Sequence, residues 1–122
     1  MGFSVVVLES DPRVAQALAD GLSSHFHAVH LTRSGEELRE RIANNRPEVV
    51  ILDIEHSRLT DVRSLHDDFP SLAIVCTHRI PDEDLWTAAL EAGASDVCPA
   101  DDVKSVLNSI LRSLAVAQGA AA

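Results

Sequence analysis

Short apolar runs alternate with amphipathic stretches from one end of the chain to the other, so strands and helices are expected to take turns. Phe3-Ser4-Val5-Val6-Val7-Leu8 is a nearly unbroken β-branched run, as a strand covered on both faces requires. Glu9-Ser10-Asp11-Pro12 closes it and opens a helix, with Asp11 or Ser10 as N-cap and Pro12 in the first turn. Val14, Ala17, Leu18, Gly21 and Leu22 supply that helix's inward stripe. His27 to Leu31 is a weaker strand, suited to a sheet edge. Ser34-Gly35-Glu36-Glu37 begins a second helix with Leu38 and Ile42 inward, and Asn44-Asn45-Arg46-Pro47 breaks it. Val49 to Leu52 is the most apolar strand and stops at Asp53. Leu59, Val62, Leu65, His66 and Phe69 mark a third helix that Pro70 terminates, and Leu72 to Cys76 is the fourth strand. Asp82 caps a fourth helix carrying Leu85, Ala88, Ala89 and Ala92, closed by Gly93. After the short strand Val97-Cys98, Asp101 opens a last helix with Val103, Val106, Leu107, Ile110 and Leu114 at core spacing.

Five such units predict an α/β fold: a flavodoxin-like three-layer αβα sandwich whose five-stranded parallel sheet runs in the order 2-1-3-4-5. Right-handed crossovers then put two of the five helices on one face and three on the other. The 122 residues suit one domain over residues 1–117, and the remaining Gln118-Gly119-Ala120-Ala121-Ala122 has nothing to pack, so 118–122 is expected to be a disordered tail. Ten Lys and Arg against nineteen Asp and Glu give a net charge of −9, which argues against nucleic acid or an anionic membrane as a direct partner. Cations and basic proteins suit it better. No apolar run approaches the roughly 18 residues of a membrane span, and no basic signal region precedes the first strand, so the chain reads as cytoplasmic. Cys76 and Cys98 lack the spacing of a metal clip and are expected to be reduced, buried hydrophobes.

Open parallel sheets bind ligands at the carboxyl ends of their strands. Three ends here are polar: Glu9-Ser10-Asp11, Asp53, and Thr77-His78. The expected strand order makes those three strands neighbours, which gathers the groups into one acidic cleft suited to a divalent cation such as Mg²⁺. Asp53 is placed to attack phosphorus, and the Thr77 hydroxyl to hydrogen-bond the phosphate oxygens that result. A plainer reading makes Asp53 only a turn former between strand and helix. His56 and His78 offer a transition-metal alternative with Glu9 and Asp53, against the simpler reading of solvated loop histidines. Neither a GxSxG nucleophile elbow nor a glycine-rich phosphate loop is present.

Val7-Leu8-Glu9-Ser10-Asp11-Pro12, Val50-Ile51-Leu52-Asp53, Ile74-Val75-Cys76-Thr77 and Glu91-Ala92-Gly93-Ala94-Ser95-Asp96, in this order, resemble the CheY-like receiver domain of two-component response regulators over nearly the whole chain. The resemblance implies that Asp53 is the phosphoacceptor, Glu9 the first of the acidic pair and Thr77 the switch hydroxyl. It implies Mg²⁺ on Glu9 and Asp53, with Ser10 and Asp11 as weaker contributors. Its expected partners are a histidine kinase or phosphotransfer protein on one side and an output domain or target on the other, and its only chemistry is its own phosphorylation. Several positions depart from the pattern. Ser10 stands for the second acidic residue, Ala100-Asp101 for lysine and proline, Val97 for the switch aromatic and His78 for a small residue, and the loop after Asp53 lacks the usual Met-Pro. The chain therefore resembles an atypical, degenerate receiver in which phosphorylation is slow, the alternative being a pseudo-receiver that binds partners without it. Trp86, about 100° round its helix from Leu85 and beside Leu90, is expected at the core margin as an apolar patch for a homodimer or partner.

Overall fold

A computed structural model describes residues 3–117, so the expected tail at 118–122 lies outside the described residues. The elements alternate without exception: β1 (Ser4–Leu8), α1 (Pro12–Leu22), β2 (Ala28–Thr32), α2 (Gly35–Asn45), β3 (Val49–Asp53), α3 (Leu59–Asp68), β4 (Ala73–His78), α4 (Glu83–Ala92), β5 (Asp96–Pro99) and α5 (Val103–Ala117). The strands form one sheet in the order β2-β1-β3-β4-β5, and every neighbouring pair is parallel. Successive strand residues face opposite sides, which splits the core in two. Val6, Val50, Leu52, Ile74 and Cys76 meet Leu38 and Ile42 of α2, Val62 and Leu65 of α3, and Ala89 and Ala92 of α4. Val5, Val7, Val49, Ile51, Val75 and Cys98 meet Leu18 and Leu22 of α1 and Val106, Ile110 and Leu114 of α5. The three-and-two division of helices follows directly. Among the described residues, no helix is long and apolar enough to cross a membrane.

Local differences from the sequence reading have simple causes. The inward stripe of α1 runs through Ala15, Leu18 and Leu22, leaving Ala17 exposed, because positions three and four apart from Leu18 share its face and position 17 does not. Asp11 is the N-cap, its carboxylate accepting from the Arg13 N–H at 2.9 Å. Asp102, one residue beyond the expected Asp101, caps α5 by accepting from the N–H groups of Lys104 and Ser105 at 3.1 and 3.3 Å. β2 begins at Ala28 and leaves His27 outside, while the unforeseen Phe26 tucks into the α1 and α5 side of the core. Leu85 and Ala88 are only half-buried.

Two glycines are required by their surroundings. Gly93 closes α4 at φ +121°, and a Cβ there would stand 2.6 Å from His66 Cγ. A Cβ on Gly21 would stand 2.4 Å from Val103 Cγ1, which sets how closely α1 approaches α5. The two cysteines are buried and free, on neighbouring strands but in opposite halves of the core. Burial pushes the Cys76 thiol up to about 12 and the Cys98 thiol to about 11.

Candidate functional site

The carboxyl ends of β1, β3 and β4 converge as their order dictates. Leu8 pairs with Leu52 and Asp53 with Thr77, so Glu9, Asp53 and Thr77 sit at one level of the sheet. All three are buried, with Asp53 2% and Thr77 0% exposed. The Ser10 hydroxyl, 3.4 Å from Glu9 Oε2, donates to Asp53 Oδ2 at 2.6 Å. The two carboxylates thus face each other across one hydroxyl, no farther apart than those distances laid end to end. The backbone N–H of Asp11 donates to Glu9 Oε2 at 3.1 Å and that of Glu55 to Asp53 Oδ1 at 2.9 Å.

The electrostatics divide the pair. Burial pushes the Asp53 carboxyl up, but hydrogen bonds from Ser10, Glu55 and His56 outweigh it and hold the group below its ordinary range. Burial also pushes Glu9 up, the Asp11 N–H only partly offsets this, and the neighbouring Asp53 charge adds to it, so Glu9 lies above its ordinary value. Three side-chain atoms at these strand ends are buried with no hydrogen-bond partner: Glu9 Oε1, Thr77 Oγ1 and His78 Nδ1. An orphaned carboxylate oxygen beside a second carboxylate fits Mg²⁺, which commonly takes one or two protein carboxylates and keeps water for the rest. Among the described residues, no group of three or more His, Cys, Asp and Glu side chains is placed to hold a metal, so the transition-metal alternative built on His56 and His78 is not assembled.

Three side chains around the cleft carry more than the sequence disclosed. His56 is half exposed, yet its Nδ1 lies 2.9 Å from Asp53 Oδ2 and 2.8 Å from Ser10 Oγ, so it is tied to the cleft rather than free in a loop. The Glu55 carboxylate accepts from the backbone N–H groups of Arg79 and Ile80 at 3.1 and 2.8 Å, fastening the loop after β4 to the loop after β3. The Arg79 guanidinium lies 3.2 Å from Asp11 Oδ2 and joins that loop to the one after β1. No spacing in the sequence signals the ties of Glu55 and Arg79, because each links separate loops, whereas His56 stands three residues after Asp53 on the same connection. Ala100 is buried and its N–H donates to the His78 carbonyl at 2.9 Å, leaving no cation on that side of the cleft from β5. On α4, Trp86 is 44% and Leu90 43% exposed, and the indole lies 6.5 Å from the His78 ring between centroids.

No protein-family model matches the chain. The response regulator MprA of Mycobacterium sp. (strain KMS) is 32% identical over 120 residues, covering 93% of this chain and 51% of that protein. The response regulator MprA of Mycolicibacterium vanbaalenii is 30% identical over the same length. The chain spans about half the length of the curated relatives it matches. Among solved structures, a response regulator from Thermotoga maritima superposes with a TM-score of 0.85 at 17% identity, covering 94% of this chain and 99% of that one. The N-terminal signal receiver domain of a two-component response regulator from Bacteroides fragilis gives 0.83 at 23% identity, covering 91% and 95%. At these identities the structures speak for the fold, which is the flavodoxin-like, CheY-type α/β sandwich with an acidic cleft at its strand ends. With the relatives in sequence added, the chain is a receiver domain of the response-regulator family.

Proposed function

We propose that the chain accepts a phosphoryl group on Asp53 and passes the resulting change to an output domain or partner protein. A carboxylate oxygen of Asp53 attacks phosphorus and the bond from phosphorus to the donor nitrogen breaks. Its electron pair returns to the imidazole of a histidine kinase or phosphotransfer protein, leaving an acyl phosphate on Asp53. Mg²⁺, when held by Glu9 and Asp53, supplies charge neutralisation for the transferring group. Ser10 and the Glu55 N–H orient the carboxylate, and burial keeps bulk water from the acyl phosphate. The observation that carries this reading is Thr77 Oγ1, wholly buried, opposite Asp53 in register and without a partner. A hydroxyl so placed lacks the acceptor that a phosphoryl oxygen on Asp53 provides.

Two absences set the rate. Ser10 removes one carboxylate from the cation's ligands and Ala100 removes an ammonium, and a charge-assisted hydrogen bond of about 1.5 to 3 kcal/mol translates to a loss of about tens to hundreds in rate. The chemistry asked of the chain is acceptance, not turnover of a substrate. Trp86 and Leu90 form the apolar patch for self-association or a partner, and a relay of this kind operates in the cytoplasm. The test is incubation with Mg²⁺ and acetyl phosphate followed by intact mass. One added phosphoryl group is expected on the parent chain and none on Asp53→Asn; equal labelling of the two would remove Asp53 from the mechanism.

A further inference from the structure

A receiver-like cleft without its lysine gains from positive charge elsewhere, because phosphorylating Asp53 adds negative charge beside Glu9 and Asp11. The chain has a single lysine, Lys104, exposed in the first turn of α5, so among its permanently charged side chains the arginines are the candidates. Arg39 and Arg112 are committed elsewhere, to Asp68 and Asp96 at 2.8 Å each. Two arginines border the cleft. Arg33 lines a cavity of about 200 Å³ beside Asp53 and Ser10, on the β1 and β2 side. Arg79 follows Thr77 by two residues on the β4 loop, where the Glu55 carboxylate takes its backbone N–H. The preceding residue, His78, accepts the N–H of Ala100, so Arg79 lies on the β4 and β5 side, the side from which the missing ammonium would approach. Its guanidinium rests on Asp11, whose own backbone N–H donates to Glu9.

We propose that Arg79 is the phosphoryl-binding cation of this site, replacing the lysine absent at Ala100; this rests on the reading of Asp53 as phosphoacceptor. In the unphosphorylated protein Asp11 parks the guanidinium at the rim. Once Asp53 carries the phosphoryl group, the guanidinium exchanges the single carboxylate of Asp11 for phosphoryl oxygens, to which its fork can donate two parallel hydrogen bonds. No proton moves, since an arginine stays charged, and the bonds made and broken are those of the transfer to Asp53 alone. Because the backbone of Arg79 and Ile80 is pinned by Glu55, the exchange is a side-chain swing and leaves the loop in place.

Beryllofluoride with Mg²⁺ serves as the phosphoryl mimic, read by the fluorescence of Trp86, the chain's only tryptophan, which sits beside His78 at the root of this loop. Arg79→Gln is expected to weaken beryllofluoride binding and slow labelling by acetyl phosphate, each about tenfold or more, and Arg79→Lys to lose less. Ala100→Lys added to Arg79→Gln is expected to recover the loss, which a merely structural role for Arg79 does not predict. Arg33→Gln is expected to bind as the parent does. Parental binding by Arg79→Gln, or a loss confined to Arg33→Gln, would overturn the assignment. Failure of the underlying reading looks different: the parent takes up no phosphoryl group, or Asp53→Asn takes it up equally, and the assignment then falls with it.

Discussion

Replacing Glu9 by Gln should stabilise the protein at neutral pH while disabling the cleft. Glu9 is buried, its Oε1 has no partner, and it faces Asp53 across the Ser10 hydroxyl. Two unit charges at most about 6 Å apart at an effective dielectric of about 20 repel by about 3 kcal/mol or more, softened by the hydrogen bonds from Ser10 and Asp11, so a gain of about 1 to 3 kcal/mol is expected. Gln keeps an acceptor for the Asp11 N–H and presents an amide donor toward Asp53. The pH dependence fixes the sign. In the folded protein Glu9 lies above its ordinary value of 4.5, so the folded state holds the proton more tightly than the unfolded chain. Parent stability therefore falls as pH rises from 4.5 through the raised folded value and then levels. Urea midpoints should favour Glu9→Gln at about pH 7.5, by about 4 °C per kcal/mol in a parallel thermal scan, and converge with the parent at about pH 3.5. Mg²⁺ at tenfold excess over its dissociation constant should add about 1.4 kcal/mol to the parent and almost nothing to the variant. Glu9→Gln no more stable than the parent at neutral pH, or an advantage undiminished in acid, would refute the reasoning.

Gly93→Ala must place a Cβ against His66 at φ +121°, and a loss of about 2 to 4 kcal/mol by urea unfolding is expected, of which His66→Ala in the same chain restores only the steric part. Asp96 lies below its ordinary range: burial pushes it up, but Ser109 at 2.6 Å, Arg112 at 2.8 Å and the Val97 N–H outweigh that. The stability it gives is present above pH 3.8 and lost as pH falls through the lowered folded value, so Asp96→Asn should cost about 1 to 2 kcal/mol at pH 7 and much less near pH 2.5. Trp86→Ala, at a ring 44% exposed, should weaken self-association or partner binding in sedimentation while moving the melting temperature by no more than about 4 °C; a large thermal loss without change in association would return the ring to a packing role.

The sheet was legible because its information is local and periodic. Val5, Val6 and Val7 announce a strand buried on both sides, and the polar residues after the apolar runs fall at the carboxyl ends of the strands, although β4 runs on through Thr77 and His78 where the sequence reading stopped at Cys76. Asp53, Thr77 and Glu9 were placed at one edge of the sheet that way, which is where the structure has them. Errors fell where two registers compete within one turn, as with Ala15 against Ala17 and Asp102 against Asp101. What stayed hidden lives between loops. The ties from Arg79 to Asp11, from Glu55 to the backbone of Arg79 and Ile80, and from His56 to Ser10 depend on how the strand ends are stacked, and no spacing along the chain encodes that.

The placement of Cys76 and Cys98 has a practical outcome for anyone handling the protein. A thiol on each side of the sheet cannot reach its neighbour to oxidise, and two thiols titrating near 12 and 11 offer almost no thiolate to an electrophile. Alkylating or thiol-exchange reagents should therefore ignore the native fold and capture the chain only when the sheet opens. The residues act as a built-in clock: with reagent in excess, the colour released per minute counts unfolding events, with no dye attached and no residue changed.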